Sequence, residues 1–174
     1  MDVTKVALST TTLAEGNPPG ARMWKGSKFE SFYLMSSPKA KGCRGERLAA
    51  DILENLGHNV PRNRKGRPVR IKGDSDHDIV VNGDRIEVKM SLTWGGVENC
   101  FTWQQIRPSQ CYDRIVFIGI NPNSVQMWWA TKEDITKHIE GCDSYRQHGG
   151  KDGKQDLYWI RNEVPTWFRS LKEW

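Results

Sequence analysis

The sequence predicts an α/β fold, a mixed central β-sheet flanked by helices, and three observations predict it. Residues 45–56 (GERLAADILENL) repeat apolar side chains at helical spacing. Residues 77–91 hold two short runs joined by Asn82-Gly83, the strongest short signal for a hairpin. Residues 114–120 (RIVFIGI) form a near-continuous apolar run, the mark of a strand buried on both faces. A chain of 174 residues can build one such core without metal or disulfide staples.

Taken in order, residues 1–44 are rich in Gly, Pro, Ser, Thr and Lys, and only 29–35 (FESFYLM) is apolar enough to dock. This stretch is expected to be a partly ordered N-terminal arm ahead of a single domain spanning 45–174. In the first helix Leu48, Ala49, Ile52, Leu53 and Leu56 form the apolar stripe, and Gly57 stands where a helix stops. A short strand is expected near 58–60. The hairpin arms are 77–81 and 85–91; in the second, Ile86, Val88 and Met90 face one way and Glu87, Lys89 and Ser91 the other.

Residues 101–107 (FTWQQIR) read as a short helix stopped by Pro108. After the buried strand and an Asn-Pro-Asn turn, 124–130 reads as a further strand. Thr131 with Asp134 forms the expected cap of a helix reaching about Ile139. Residues 141–156 read as a polar loop, and the chain closes with an apolar stretch at 157–160 and an aromatic one at 164–174. Helix, strands, helix, strand, strand, helix implies a sheet covered by helices.

Composition excludes several classes. No apolar run approaches the roughly 18 residues that span a bilayer, so no membrane partner is expected. Residues 1–18 lack a basic region followed by an apolar stretch, so no secretory signal is expected. The four cysteines, Cys43, Cys100, Cys111 and Cys142, form no Cys-x-x-Cys pair, which argues against zinc and for reduced thiols in a cytoplasm.

The net charge of +5 is unevenly spread. Residues 62–72 (RNRKGRPVRIK) carry six basic residues and no acidic one. Arg62, Arg64, Lys65, Arg67, Arg70 and Lys72 are therefore candidate contacts to nucleic-acid phosphates, with a solvated loop as the plain alternative. A second basic loop at 146–154 (RQHGGKDGK) adds His148, Lys151 and Lys154. Gln104 and Arg107 suit contacts to phosphate or base edges. The eight tryptophans exceed what a small core needs, and Trp94 and Trp103 are the two expected near a ligand.

The chemistry points to residues 78–89 (DIVVNGDRIEVK). Glu87 and Lys89, two apart on a strand, share a face, and the hairpin can bring Asp78 to it. Two converging carboxylates with one amine beside them suit a hard divalent cation, and the Val88 carbonyl could complete its shell. Such an ion lowers the pKa of a bound water and neutralises charge on a phosphate. The amine orients or deprotonates the attacking water, or stabilises the transition state by its charge. His77, just before Asp78, could be a ligand or a partner to one, with a solvated turn residue as the plainer reading.

These segments resemble the PD-(D/E)xK nuclease superfamily over roughly residues 42–139. The likeness rests on a Gly-Glu helix opening (KGCRGERLAADILENLG), an Asp-then-Glu-x-Lys hairpin (SDHDIVVNGDRIEVKMS), and a Gln-bearing helix ahead of an apolar strand (FTWQQIRPSQCYDRIVFIGI). The Gln-Ile-Arg helix, Tyr112-Asp113 before that strand and the Trp-containing strand after it look most like the small type II restriction endonuclease branch. The resemblance implies a restriction-endonuclease-like αβββαβ core and Mg2+-dependent hydrolysis of DNA phosphodiesters, with Mn2+ able to substitute. It implies a homodimer on double-stranded DNA, in a bacterial, archaeal or phage-encoded cytoplasmic setting. By position it makes Asp78 and Glu87 metal ligands, Lys89 the catalytic lysine, Glu46 an accessory acid and Gln105 an active-site helper. The proline expected before the first Asp is absent, so Asp76 competes with Asp78 for that role. A Holliday-junction or repair nuclease, and a non-catalytic nucleic-acid-binding domain, are the alternatives.

Overall fold

The computed structural model describes residues 19–71, 76–147 and 157–174. The described residues begin with α1 (Pro19–Trp24), α2 (Glu30–Leu34) and α3 (Pro38–Asn55). Strands β1 (Ile79–Val81), β2 (Asp84–Leu92), β3 (Thr102–Ile106), β4 (Arg114–Ile120) and β5 (Val125–Thr131) follow. Helix α4 (Lys132–His138), β6 (Tyr158–Arg161) and β7 (Arg169–Ser170) come next, with short 3-10 turns at Asp143–Tyr145 and Leu171–Glu173. The α/β fold with a mixed sheet flanked by helices is what the sequence predicts.

The sheet runs β1-β2-β4-β5-β7. Strand β1 pairs antiparallel with β2 through a two-residue turn at Asn82 (φ 53°) and Gly83 (φ 96°). Positive φ at both positions matches the twist of the flanking strands. Strand β2 then pairs parallel with β4, Ile86 opposite Arg114 through Leu92 opposite Ile120, and β4 pairs antiparallel with β5. Strand β4 is central, and Ile115 to Ile118 are fully buried, as their apolar run requires.

Helix α3 begins seven residues before its expected start at Gly45. The Ser37 side chain caps it by accepting from the Ala40 amide, and Pro38 occupies the first turn, where its missing N–H costs nothing. Two glycines and two lysines between 38 and 45 hide this turn from a search for apolar periodicity. The far end is as expected: Gly57 (φ 92°) donates to Glu54 O and His58 to Leu53 O, closing the helix with a left-handed glycine. The described part of the expected arm therefore belongs to the core. Trp24 and Phe32 are buried in the layer that α3 forms over Val116, Ile118 and Ile120.

The opposite face of the sheet is covered by β3, β6 and α4, with Phe101, Trp103, Ile106, Tyr158 and Ile160 buried against Ile115 and Phe117. Here the expected helix at 101–107 is a strand. Trp103 and Ile106 are both buried, and β6 pairs antiparallel with this segment and supplies its hydrogen bonds. Tertiary pairing overrides a weak local preference. In the αβββαβ order that was expected, the helix between the strand of Glu87 and the buried strand is thus replaced by β3. Gly119 permits the close approach of this layer, since a Cβ there would lie 2.5 Å from the Phe101 ring.

The strand expected near 58–60 does not form either. Asn59 instead exchanges hydrogen bonds with Asn82, its amide donating to the side-chain oxygen and its carbonyl accepting from the Asn82 amide. The cap on α4 forms as expected, with reciprocal bonds between Thr131 and Asp134. Trp128 and Trp129 face opposite layers. All four cysteines are free, and no described helix is long and apolar enough to cross a membrane.

Candidate active site

Strand β1 is short, so among the described residues no strand pairs with the outer edge of β2 beyond Ile86. A cavity of about 570 Å³ opens there between α3 and β3. Glu46 of α3, Asp78, Glu87 and Lys89 of β2, and Gln104 and Gln105 of β3 line it. Helix α3 reaches this edge because Gly45 is packed on Met90, where a Cβ would come within 3.0 Å of the Met90 side chain. The sequence's Gly-Glu pair thus sets a close helix–strand approach and then projects a carboxylate. Glu46 lies in the middle of α3, not in its first turn.

Asp78 is fixed at the entry to β1. Its backbone N–H donates to Ile86 O at 2.9 Å, and its Oδ2 accepts from the Val88 amide at 2.9 Å. Asp76 turns away, accepting from the Cys111 amide, so of the two candidates Asp78 is the one lining the cavity. His77 is not solvated: it is fully buried, and its Nε2 accepts from the Ile71 amide.

Glu87 and Lys89 share the β2 face as their spacing requires. Lys89 Nζ donates to Glu87 Oε1 at 2.6 Å. Glu87 is only 6% exposed, and burial, reinforced by the Asp78 charge and opposed by the Lys89 ammonium, pushes its carboxyl up to about 7. Glu46 is also held above the usual range, first by burial and then by Asp78, with Arg70 pulling the other way. The ionised forms of Glu46 and Glu87 are thus both disfavoured in this cavity. Among the described residues, no three His, Cys, Asp or Glu side chains are grouped closely enough to hold a metal ion. Magnesium is typically held by one or two carboxylates, with waters and substrate phosphates as its other ligands, and Asp78, Glu87 and the adjoining Val88 fit that need.

The two glutamines reach the cavity through an irregularity that sequence patterning could not show. The register of β3 against β6 slips between Trp103 and Ile106. Trp103 and Ile106 are buried while Gln104 and Gln105 between them are both exposed. A regular strand would turn one glutamine into the core; the bulge turns both outward. Gln105 takes φ 56°, and its amide donates to Gln147 Oε1 at 3.0 Å.

The basic candidates separate. Arg62 is held against α3, with Nη2 at 2.6 Å from both Asp51 and Glu54. Arg64, Lys65 and Arg67 are exposed on a tight turn held by Asn63, whose Oδ1 accepts from the amides of Lys65 and Arg67. Arg107 is exposed just past β3. Lys72, His148, Lys151 and Lys154 lie outside the described residues. Arg70, expected with the loop, instead pairs with two of the carboxylates that line the cavity: its Nη2 lies 2.9 Å from Asp78 Oδ1 and 3.0 Å from Glu46 Oε1. Its eight-residue offset from Asp78 gives no sequence signal for that contact. Trp103 is a core residue, its indole N–H donating to Ile118 O, whereas Trp94 is half exposed on the loop after β2.

No protein-family model, curated protein or solved structure matches this chain.

Proposed function

We propose that this chain is a Mg2+-dependent endonuclease that hydrolyses DNA phosphodiester bonds, of the PD-(D/E)xK kind. The observation that supports it is the meeting of Asp78, Glu87 and Lys89 with Glu46 in one solvent-open cavity at the edge of β2. Asp78 and Glu87, with Val88 between Glu87 and Lys89, are the residues that would hold the ion. When bound, it supplies positive charge to the phosphoryl oxygens and acidifies a coordinated water.

The chain's own residues do the rest. Lys89 is held by Glu87 and orients the attacking water or balances the charge that grows on phosphorus. Glu46 adds a second proton acceptor on the α3 side. Gln104 and Gln105 offer both donors and acceptors to the sugar-phosphate backbone on the β3 side. Arg64, Lys65 and Arg67 give the flanking duplex a cationic surface. A restriction-type enzyme acting as a homodimer on a palindromic site is the specific form proposed, since two-fold symmetry matches one cut per strand.

Incubation of supercoiled plasmid with and without Mg2+ tests this. Discrete fragments that require Mg2+, lost in Asp78→Ala and Glu87→Ala, are expected. Preference for branched over linear duplex would move the assignment to a junction or repair nuclease. Salt-sensitive binding with no cleavage under any divalent ion would leave a non-catalytic binding domain.

A further inference from the structure

We propose that Arg70 contacts the substrate phosphate and, until the phosphate arrives, keeps the cation site closed; this rests on the reading of Asp78 as a metal ligand. The Arg70 guanidinium bridges two of the cavity's carboxylates through one nitrogen, and its Nε donates to the Asp78 carbonyl at 3.0 Å. Asp78 Oδ2 already accepts from the Val88 amide, which leaves Oδ1 as the better donor for a cation, and Arg70 occupies it. An ion and the guanidinium therefore compete for the same oxygen.

The exposures set the direction of exchange. The Asp78 and Glu46 side chains are 19% and 21% exposed, while Arg70 is 44% exposed. The carboxylates are the more covered partners and the Arg70 side chain the more exposed one, so a phosphate reaches Arg70 first. Arginine binds phosphate through paired N–H donors, so an arriving phosphodiester offers a partner as good as the one it leaves.

The backbone on either side of Arg70 is pinned. The Val69 amide donates to Pro61 O, Val69 O accepts from the Val80 amide, and the Ile71 amide donates to His77 Nε2. Exchange is then a rotamer change of one side chain, without loop movement. Its consequence is reciprocal coupling: duplex binding raises affinity for the ion, and the ion raises affinity for the duplex.

Two titrations on the full chain test this. Mn2+ binding without DNA is followed by the electron spin resonance of the free ion for wild type, Arg70→Ala, Arg70→Gln and Asp78→Ala. Duplex binding is followed in EDTA across a salt series. Both Arg70 variants are expected to bind Mn2+ about tenfold more tightly than wild type, within the usual range of such coupling. Their salt dependence of duplex binding is expected to fall by about one counterion. Asp78→Ala is expected to lose the Mn2+ site. Unchanged or weaker Mn2+ affinity in both Arg70 variants, with wild type binding normally, overturns the role of Arg70 and leaves the nuclease reading intact. Failure of every variant and of wild type to bind Mn2+ overturns the metal reading, and the role of Arg70 with it.

Discussion

Lys89 Nζ lies 2.6 Å from Glu87 Oε1, and the two side chains are only 15% and 8% exposed. An amine held this closely in a covered site is positioned before substrate arrives. Its removal leaves Glu87 beside Asp78 with no local counter-charge from β2. Lys89→Ala is therefore expected to slow single-turnover cleavage by about 10²–10⁴-fold, the usual contribution of a positioned acid–base or charge-stabilising group. Duplex binding in EDTA should hold, because the exposed cations are elsewhere. Wild-type cleavage by this variant would remove Lys89 from the reaction.

The pH dependence of stability follows from Glu87. Its carboxyl is pushed from 4.5 up to about 7 in the fold, first by burial and then by Asp78, against the pull of Lys89. The folded chain holds the proton more tightly than the unfolded chain. The resulting stabilisation is fully present below about pH 4.5 and is lost as pH rises through about 7. Glu46 acts in the same direction. The Tm of the metal-free protein in chelator should fall from pH 5 to pH 8, and Glu87→Gln should flatten that fall. Parallel curves for the two proteins would show that Glu87 does not carry it.

Much of this was legible in the sequence where the signal is local. The Asn82-Gly83 turn, the alternation around Glu87 and Lys89, and the Thr131–Asp134 cap each depend on residues within a few positions of one another. What was not legible depends on distant partners. Strand β3 owes its form to β6, some fifty residues later, and Arg70 finds Glu46 across 24 positions. Arg62 looked identical to its basic neighbours until α3 supplied two carboxylates.

The layer over β4 depends on one missing side chain. A Cβ on Gly119 would lie 2.5 Å from the Phe101 ring, which itself packs on Trp103 and Trp128. The ring cannot retreat without moving its aromatic neighbours. Gly119→Ala should destabilise the fold by about 1–3 kcal/mol, the usual cost of overpacking, or more. Urea denaturation measures it, and a stability equal to wild type would mean that the ring layer has room to shift.

The bulge in β3 supplies the last test, because strain and side chain can be separated there. Gln105 holds φ 56°, a conformation that costs a residue with a Cβ roughly 1–2 kcal/mol. The cost is met by the buried Gln147 side chain, which accepts from the Gln105 amide, and by the register that keeps Trp103 and Ile106 in the core. Gln105→Ala keeps the strain and loses the side chain; Gln105→Gly loses both. If the bulge exists to aim Gln105 into the cavity, both variants should cut DNA at least about tenfold more slowly, the scale of one lost hydrogen bond. Gln105→Gly should still be the more stable of the two by about 1 kcal/mol, because glycine adopts positive φ without penalty and part of that gain is offset by its freer unfolded chain. Single-turnover cleavage and urea denaturation of the pair read the two effects independently. Normal cleavage by Gln105→Ala would reduce the bulge to a packing device for Ile106.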